Sequence, residues 1–202
     1  KDMQDSLKEQ LITKLKENLK RGNTVIYDID IKSYFEEVPH KKLMILIGKR
    51  ISDKKVLGLI KGWLKMPVEE KAQKKAWNKK GTPQGGIISP LLSNIYLNVL
   101  DKEVNKEKGI YKKKGVKIVR YCDDYIIIGK GVGKEVIERT KEILGKMELK
   151  INEEAISYGK SQSKIIEAKE EESKYLGYKI RYEKDKYTKG KRYWNIGPQK
   201  GI

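Results

Sequence analysis

The sequence predicts an α+β fold in which helices pack on one face of an antiparallel β-sheet. Residues 24–31 alternate between apolar side chains on one face and, toward the end of the run, acids on the other, which is typical of a strand. Residues 117–128 contain two short β-rich runs separated by a tight turn, which indicates a hairpin. Segments around them place apolar residues three or four apart, as amphipathic helices do. The chain has no internal repeat and no low-complexity linker, so we expect one domain over residues 1–202.

The first two elements are a helix and a strand. Leucines lie four apart among lysines at Leu7, Leu11, Leu15 and Leu19. This spacing predicts a helix over residues 6–20. On the strand that follows, apolar side chains point one way at Val25, Tyr27, Ile29 and Ile31. Asp28 and Asp30 share the opposite face, so the strand ends in acids.

The middle of the chain is mainly helical. Helices are predicted over residues 40–49 and 53–65. The second has an apolar side formed by Val56, Leu57, Ile60 and Leu64. Residues 66–81 are rich in lysine and contain Pro67, which indicates a loop or a short hairpin.

A further helix begins at Ser89-Pro90, because serine can cap the free amides and proline fits the first turn. It continues to about Lys106. Another helix is predicted over residues 136–147. The tail from Ser173 to Ile196 has strand-like stretches that are broken by a loop over residues 185–190.

The composition limits the class of protein. Lys and Arg number 46 against 28 Asp and Glu, a net charge of +18, which favours a polyanionic partner such as a nucleic acid. No apolar run is long enough to span a bilayer, and the first residues are not a signal peptide, so we expect a cytoplasmic protein. Cys122 is the single cysteine and His40 the single histidine, which excludes an internal disulfide and an ordinary zinc site.

Acidic side chains stand where they do not favour stability. Asp30 lies near the end of an apolar strand, and Asp123 and Asp124 are adjacent at a hairpin tip. Neighbouring buried carboxylates repel each other unless a cation neutralises them, and hard oxygen ligands of this kind suit Mg²⁺. Two such ions are the usual device for phosphoryl transfer. The alternative is that Asp123 and Asp124 only make a good turn.

Three motifs in order decide between these interpretations. They are Asp30–Phe35 (DIKSYF), Thr82–Gly86 (TPQGG) running into Ile87–Leu92 (IISPLL), and Tyr121–Asp124 (YCDD). Together they resemble the palm of reverse transcriptases, and the second motif resembles the bacterial group II intron type. The resemblance extends over almost the whole chain.

The resemblance implies a function and a metal site. A reverse transcriptase of this type extends a DNA primer on an RNA template from deoxynucleoside triphosphates, and its other partner is intron RNA. Carried over by position, the resemblance implies that Asp30, Asp123 and Asp124 are catalytic and bind two Mg²⁺ ions. The backbone carbonyl of Ile31 is a further ligand. A bacterial cytoplasmic location is implied, with no membrane, and the oligomeric state is not determined.

The resemblance also implies substrate contacts. Phe35 is the steric gate against a ribose 2′-hydroxyl, although on residue type alone it is a core aromatic at a helix start. Gln84 and Gly85 line the nucleotide pocket, and Tyr121 packs beside the primer terminus. The primer grip is the segment Tyr175, Leu176, Gly177 and Tyr178, which in isolation is an ordinary edge strand.

The sequence departs from the family in two respects. Glu153-Glu154 is followed by Ala155, where the family has a lysine that has been proposed to protonate pyrophosphate. The 202 residues are also interpreted as the palm alone, with the fingers mostly absent before it and the thumb absent after it. An alternative is therefore a catalytically incompetent RNA-binding palm remnant, or a fragment of a larger intron maturase.

Overall fold

The computed structural model describes residues 3–66, 80–83, 86–152, 164–185 and 190–199. These residues divide into two compact units. The first comprises residues 1–30, 104–138 and 152–202, and the second comprises residues 31–103 and 139–151. The expectation of one palm domain over the whole chain stays a prediction. Most of the predicted loop at 66–81, and residues 153–155, lie outside the described residues.

The first unit contains a four-stranded antiparallel sheet. Its strands, in chain order, are β1 (Val25–Ile29), β2 (Lys117–Tyr121), β3 (Asp124–Gly129) and β4 (Lys164–Glu167). Their order across the sheet is β2-β3-β1-β4, so β3 and β1 are the central strands. Asp28 pairs with Ile126 of β3 on one side and with Lys164 of β4 on the other. The predicted strand and hairpin are confirmed, whereas β4 was not foreseen.

Helix α1 (Met3–Lys20) packs against β2 in this unit. A buried core joins the helix to the sheet through Ile12, Leu15, Leu19, Ile26, Val119, Ile126 and Ile128. The predicted leucine stripe is wrong at its first position, because Leu7 is 46% exposed. The strand prediction also needs correction, since Ile26, on the face shared with Asp28, is buried as well. Ile26 belongs to the core cluster that contains Leu15 and Leu19 of α1, so the helix covers this part of the face.

A second sheet completes the first unit. It has the order β5-β6-β7, from β5 (Ser173–Tyr175), β6 (Tyr178–Lys184) and β7 (Arg192–Pro198). Both pairings are antiparallel, as the strand-like tail predicted. The short helix α6 (Ile110–Lys113) precedes β2. Residues 186–189 of the predicted loop lie outside the described residues.

The second unit is helical. It contains α2 (Tyr34–Glu37), α3 (His40–Gly48), α4 (Lys54–Lys65) and α5 (Ser89–Val104) up to Glu103, together with the later part of α7 (Lys134–Lys146). Helix α4 begins where the Asp53 carboxylate accepts hydrogen bonds from the amides of Lys55 (2.7 Å) and Val56 (3.1 Å). Such a cap stabilises a helix by about 1 kcal/mol.

The predicted start of α5 is confirmed, but its serine acts differently. The Ser89 hydroxyl donates a hydrogen bond to the backbone oxygen of Pro83 (2.6 Å) instead of capping free amides.

No helix among the described residues is both long and apolar enough to cross a bilayer. The helices and the two antiparallel sheets confirm the α+β class that the sequence predicts.

Candidate active site

The hairpin between β2 and β3 presents two acids side by side. Tyr121 ends β2 and pairs with Asp124, the first residue of β3, so Cys122 and Asp123 form the turn. Cys122 has a left-handed backbone (φ 54°), which lets the chain reverse within two residues. The Arg120 guanidinium donates a hydrogen bond to the backbone oxygen of Cys122 (2.8 Å). The sequence of the turn thus fixes where both carboxylates emerge.

Asp30 follows directly after the last residue of β1. Its carboxylate accepts a hydrogen bond from the side-chain amide of Asn152 (2.8 Å). Its backbone oxygen accepts another from the backbone amide of Asn152 (2.8 Å). Asn152 thus holds Asp30 at both backbone and side chain. No local pattern predicts this contact, because 122 positions separate the two residues.

The hairpin acids and Asp30 share one electrostatic environment. Burial raises the pKa of both hairpin carboxyls, and the charge of Asp30 raises the pKa of each further. The charge of Asp123 also raises the pKa of Asp124, whereas the Lys8 ammonium lowers it. Asp30 is therefore within electrostatic range of both hairpin acids, and a shared metal site for the three carboxylates stays a prediction.

Asp28 is a fourth acid in this environment. Burial within β1 raises its pKa from 3.8 to about 6, against the lowering effect of Lys164. Asp124 and Asp30 raise the pKa of Asp28 further. The sequence placed Asp28 on the same face as Asp30 but assigned it no role. The strand alternation was the signal that could have included it.

The donor chemistry of the three predicted ligands fits a hard divalent cation. Carboxylate oxygens are the ligands that Mg²⁺ prefers, and the mutual rise in pKa is what a nearby cation would reverse. In the described part of the chain, however, no three His, Cys, Asp or Glu side chains are already arranged as a metal-binding group. The carboxylates of Asp30, Asp123 and Asp124 therefore suit Mg²⁺ by their chemistry, and the binding of Mg²⁺ stays a prediction.

Phe35 and the second motif come together in the helical unit. The backbone oxygen of Phe35 accepts a hydrogen bond from the amide of Thr82 (2.6 Å), and its ring meets that of Tyr34 edge-on (5.4 Å between centroids). The His40 ring donates from Nε2 to the backbone oxygen of Gly81 (2.6 Å). A side chain at Gly81 would strike the backbone of Glu36, so glycine is required there.

The remaining predicted residues are placed as follows. Ile31 is buried and forms an isolated antiparallel bridge with Ile151. Gln84 and Gly85 lie outside the described residues. Tyr121 is half-buried, with the Lys8 ammonium over its ring.

The predicted primer-grip segment forms the turn between β5 and β6. Leu176 (φ 50°) and Gly177 (φ 79°) have left-handed backbones there. The Tyr175 hydroxyl is buried and donates to the backbone oxygens of Val119 and Asp124, each at 3.3 Å. Tyr178 pairs with Tyr175 across the turn. Tyr175 therefore ties the segment to the hairpin between β2 and β3, a contact that no local pattern predicts.

The sequence matches the family model described as reverse transcriptase (RNA-dependent DNA polymerase) over residues 2–180. The chain belongs to this family. The resemblance to intron-type enzymes is also confirmed by individual relatives. The group II intron-encoded protein LtrA of Lactococcus lactis is 36% identical over 124 residues, which are 60% of this chain and 20% of that protein.

Two further relatives are similar to this chain in sequence. Protein YkfC of Escherichia coli is 32% identical, over 63% of this chain and 40% of its own length. An uncharacterized protein in the cob intron of Schizosaccharomyces pombe is 37% identical, over 47% of this chain and 12% of its own length. This chain thus spans between 12% and 40% of the length of these three relatives.

A solved structure of apo telomerase from Candida tropicalis, truncated from its C-terminal domain, supports the fold. Its TM-score is 0.56 at 18% identity, with 89% of this chain and 38% of that chain covered. At this identity the likeness shows the fold alone. That fold agrees with a reverse transcriptase palm.

Proposed function

We propose that this chain is the catalytic palm of an RNA-directed DNA polymerase of the group II intron type. It extends a DNA primer on an RNA template by two-metal nucleotidyl transfer. The observation that carries the proposal is the grouping of Asp30, Asp123 and Asp124 in one compact unit, where the charge of Asp30 raises the pKa of both hairpin acids. Family membership supplies the reaction class.

In the proposed reaction, the primer 3′-oxygen attacks the α-phosphorus of a deoxynucleoside triphosphate. A new oxygen–phosphorus bond forms and the 3′-hydroxyl proton passes to solvent. The bond between the α-phosphorus and the oxygen that bridges to the β-phosphate breaks, and pyrophosphate leaves. Asp30, Asp123, Asp124 and the backbone carbonyl of Ile31 would hold two Mg²⁺ ions. Such ions, when bound, lower the pKa of an attacking hydroxyl and stabilise charge at the phosphate.

The other residues position the substrates. Phe35 blocks a ribose 2′-hydroxyl, and its backbone bond to Thr82 fixes it against the motif whose Gln84 and Gly85 line the nucleotide pocket. Tyr121 packs beside the primer terminus. Residues Tyr175 to Tyr178 hold the primer, and the bond from Tyr175 to Asp124 keeps that segment in register with the catalytic hairpin. Positioning of this kind supplies much of the rate in such reactions.

Partners and location follow from the same proposal. The net charge of +18 suits the RNA template, the primer and an intron RNA. A bacterial cytoplasmic location is part of the proposal and follows from the resemblance of the second motif to the bacterial group II intron type.

Primer extension tests the proposal. With an RNA template, a DNA primer, deoxynucleotides and Mg²⁺, we expect extension that Asp123→Asn reduces by at least about 100-fold, since a carboxylate that would hold Mg²⁺ at the reacting phosphate is lost. Asp5→Asn, an exposed acid on α1, is the matched control and should keep full activity.

A measurement of thermal stability distinguishes a loss of catalysis from a loss of folding. Burial and Asp30 raise the pKa of Asp123, so its charge opposes folding, and Asp123→Asn should melt at the same temperature as the parent or higher. Extension that survives Asp123→Asn would remove the catalytic assignment.

A second function is favoured by one observation. Among the described residues, the acids do not already form a metal-binding group, which suits an RNA-binding palm that does not polymerise by itself. Tight, salt-sensitive RNA binding by a chain that never extends a primer would support this alternative.

A further inference from the structure

The inner face of helix α1 carries a lysine at a position where an apolar residue is expected. The buried residues Ile12, Leu15 and Leu19 define that face, and one turn before Ile12 it reaches Lys8. Lys8 is half-buried, whereas all its neighbours from Gln4 to Gln10 are exposed. A lysine is rarely turned toward a core without a partner for its charge.

The partner of Lys8 is the catalytic hairpin. The Lys8 ammonium lies 5.5 Å from the centre of the Tyr121 ring, within the range of a cation–π interaction. Since Tyr121 and Asp124 are paired across the turn, Lys8 meets the hairpin at the base of its tip.

We propose that Lys8 is a positioning residue for the catalytic hairpin. Its ammonium holds the Tyr121 ring in one orientation. The inference rests on the proposed function, because the orientation of Tyr121 matters for the reaction only if that ring packs beside the primer terminus. Lys8 touches no substrate and acts through Tyr121.

A purely structural role for Lys8 predicts a different result, namely that removing its charge leaves the KM for primer–template unchanged. The aliphatic stem of a lysine can cover apolar surface while its charge simply reaches water. Lys8→Met keeps the stem volume and removes the charge, whereas Lys8→Arg keeps a cation that can lie over the ring. Lys16→Met is the matched control, since Lys16 is an exposed lysine on the same helix.

Steady-state primer extension with the full chain tests the role. Lys8→Met should raise the KM for primer–template by roughly two- to fivefold, the range of an accessible cation–π contact, and leave the KM for deoxynucleotide unchanged. Lys8→Arg should restore the parental KM, and Lys16→Met should match the parent. A Lys8→Met enzyme with parental KM and only less folded protein would overturn the proposal.

A double-mutant cycle with Tyr121→Leu tests the contact independently of activity. Thermal unfolding should show coupling, with Lys8→Met costing less once the ring is gone. Additive effects would overturn the proposal even if extension is robust. If the parent chain extends no primer while the coupling is present, the proposed function fails and takes the positioning role with it, yet the contact stands.

Discussion

At the scale of single residues, the molecule concentrates destabilising charge in one place. Burial raises the pKa of Asp28, Asp123 and Asp124, so each opposes folding when ionised at neutral pH. Asp28 lies within a central strand, and the hairpin acids project from its neighbour. Residues that oppose stability and yet cluster are typical of functional sites.

Asp28 should make stability depend on pH. Its pKa is 3.8 when unfolded and about 6 when folded, so between these values the folded chain binds the extra proton. The free energy of unfolding therefore falls as pH rises through this window. Asp28→Asn should remove that part of the fall and add about 2 kcal/mol of stability at pH 7.

Urea denaturation from pH 4 to pH 7 in the presence of a chelator would measure this effect. Asp123 and Asp124 are shifted in the same direction, so some slope should remain in the variant. Parallel curves for the parent and Asp28→Asn would show that the Asp28 carboxyl is not perturbed as the structure indicates.

At the scale of elements, the local sequence determines where a helix forms, whereas the elements packed against the helix determine which of its residues are buried. The apolar arc of α4 is wider than its buried part, since Ile60 and Leu64 are buried while Val56 is 38% exposed. On α1, Leu15 is fully buried and Leu7 is not, although both belong to one leucine series. A straight spacing of four drifts around a helix with 3.6 residues per turn.

Two alanine substitutions on α1 should separate these positions. Leu15→Ala should lower the free energy of unfolding by about 2–5 kcal/mol, because it leaves a cavity against the sheet. Leu7→Ala should change it by no more than about 0.5 kcal/mol. Denaturant unfolding of both variants would check this, and equal losses would mean that the helix packs along its leucine series after all.

At the scale of the whole molecule, charge determines the choice of partner. The +18 net charge creates a field that attracts nucleic acid of any sequence. Within that basic chain the acidic cluster is local. The basic surface and the acidic site of the proposed function are compatible because screening confines each effect to about 10 Å.

Binding to single-stranded RNA should therefore fall steeply with salt. The logarithm of affinity should decrease linearly with the logarithm of salt concentration, with a slope of about −0.7 for each phosphate contacted. Fluorescence anisotropy in rising KCl would measure it. An uncharged-backbone analogue of the same base sequence is the control and should bind weakly with almost no slope. A flat response for RNA itself would contradict an electrostatic interface.

The sequence by itself determined the family, the longer helices, the first strand and the hairpin, and it singled out three acids, because local alternation, helical spacing and short motifs are all read along the chain. Only the tertiary structure decided that Asn152 holds Asp30, that Tyr175 reaches Asp124 and that Lys8 meets Tyr121. These contacts join residues far apart in the chain, and no local pattern encodes them. Burial of Asp28 belongs with them, since a strand becomes central only when partners pair on both of its sides.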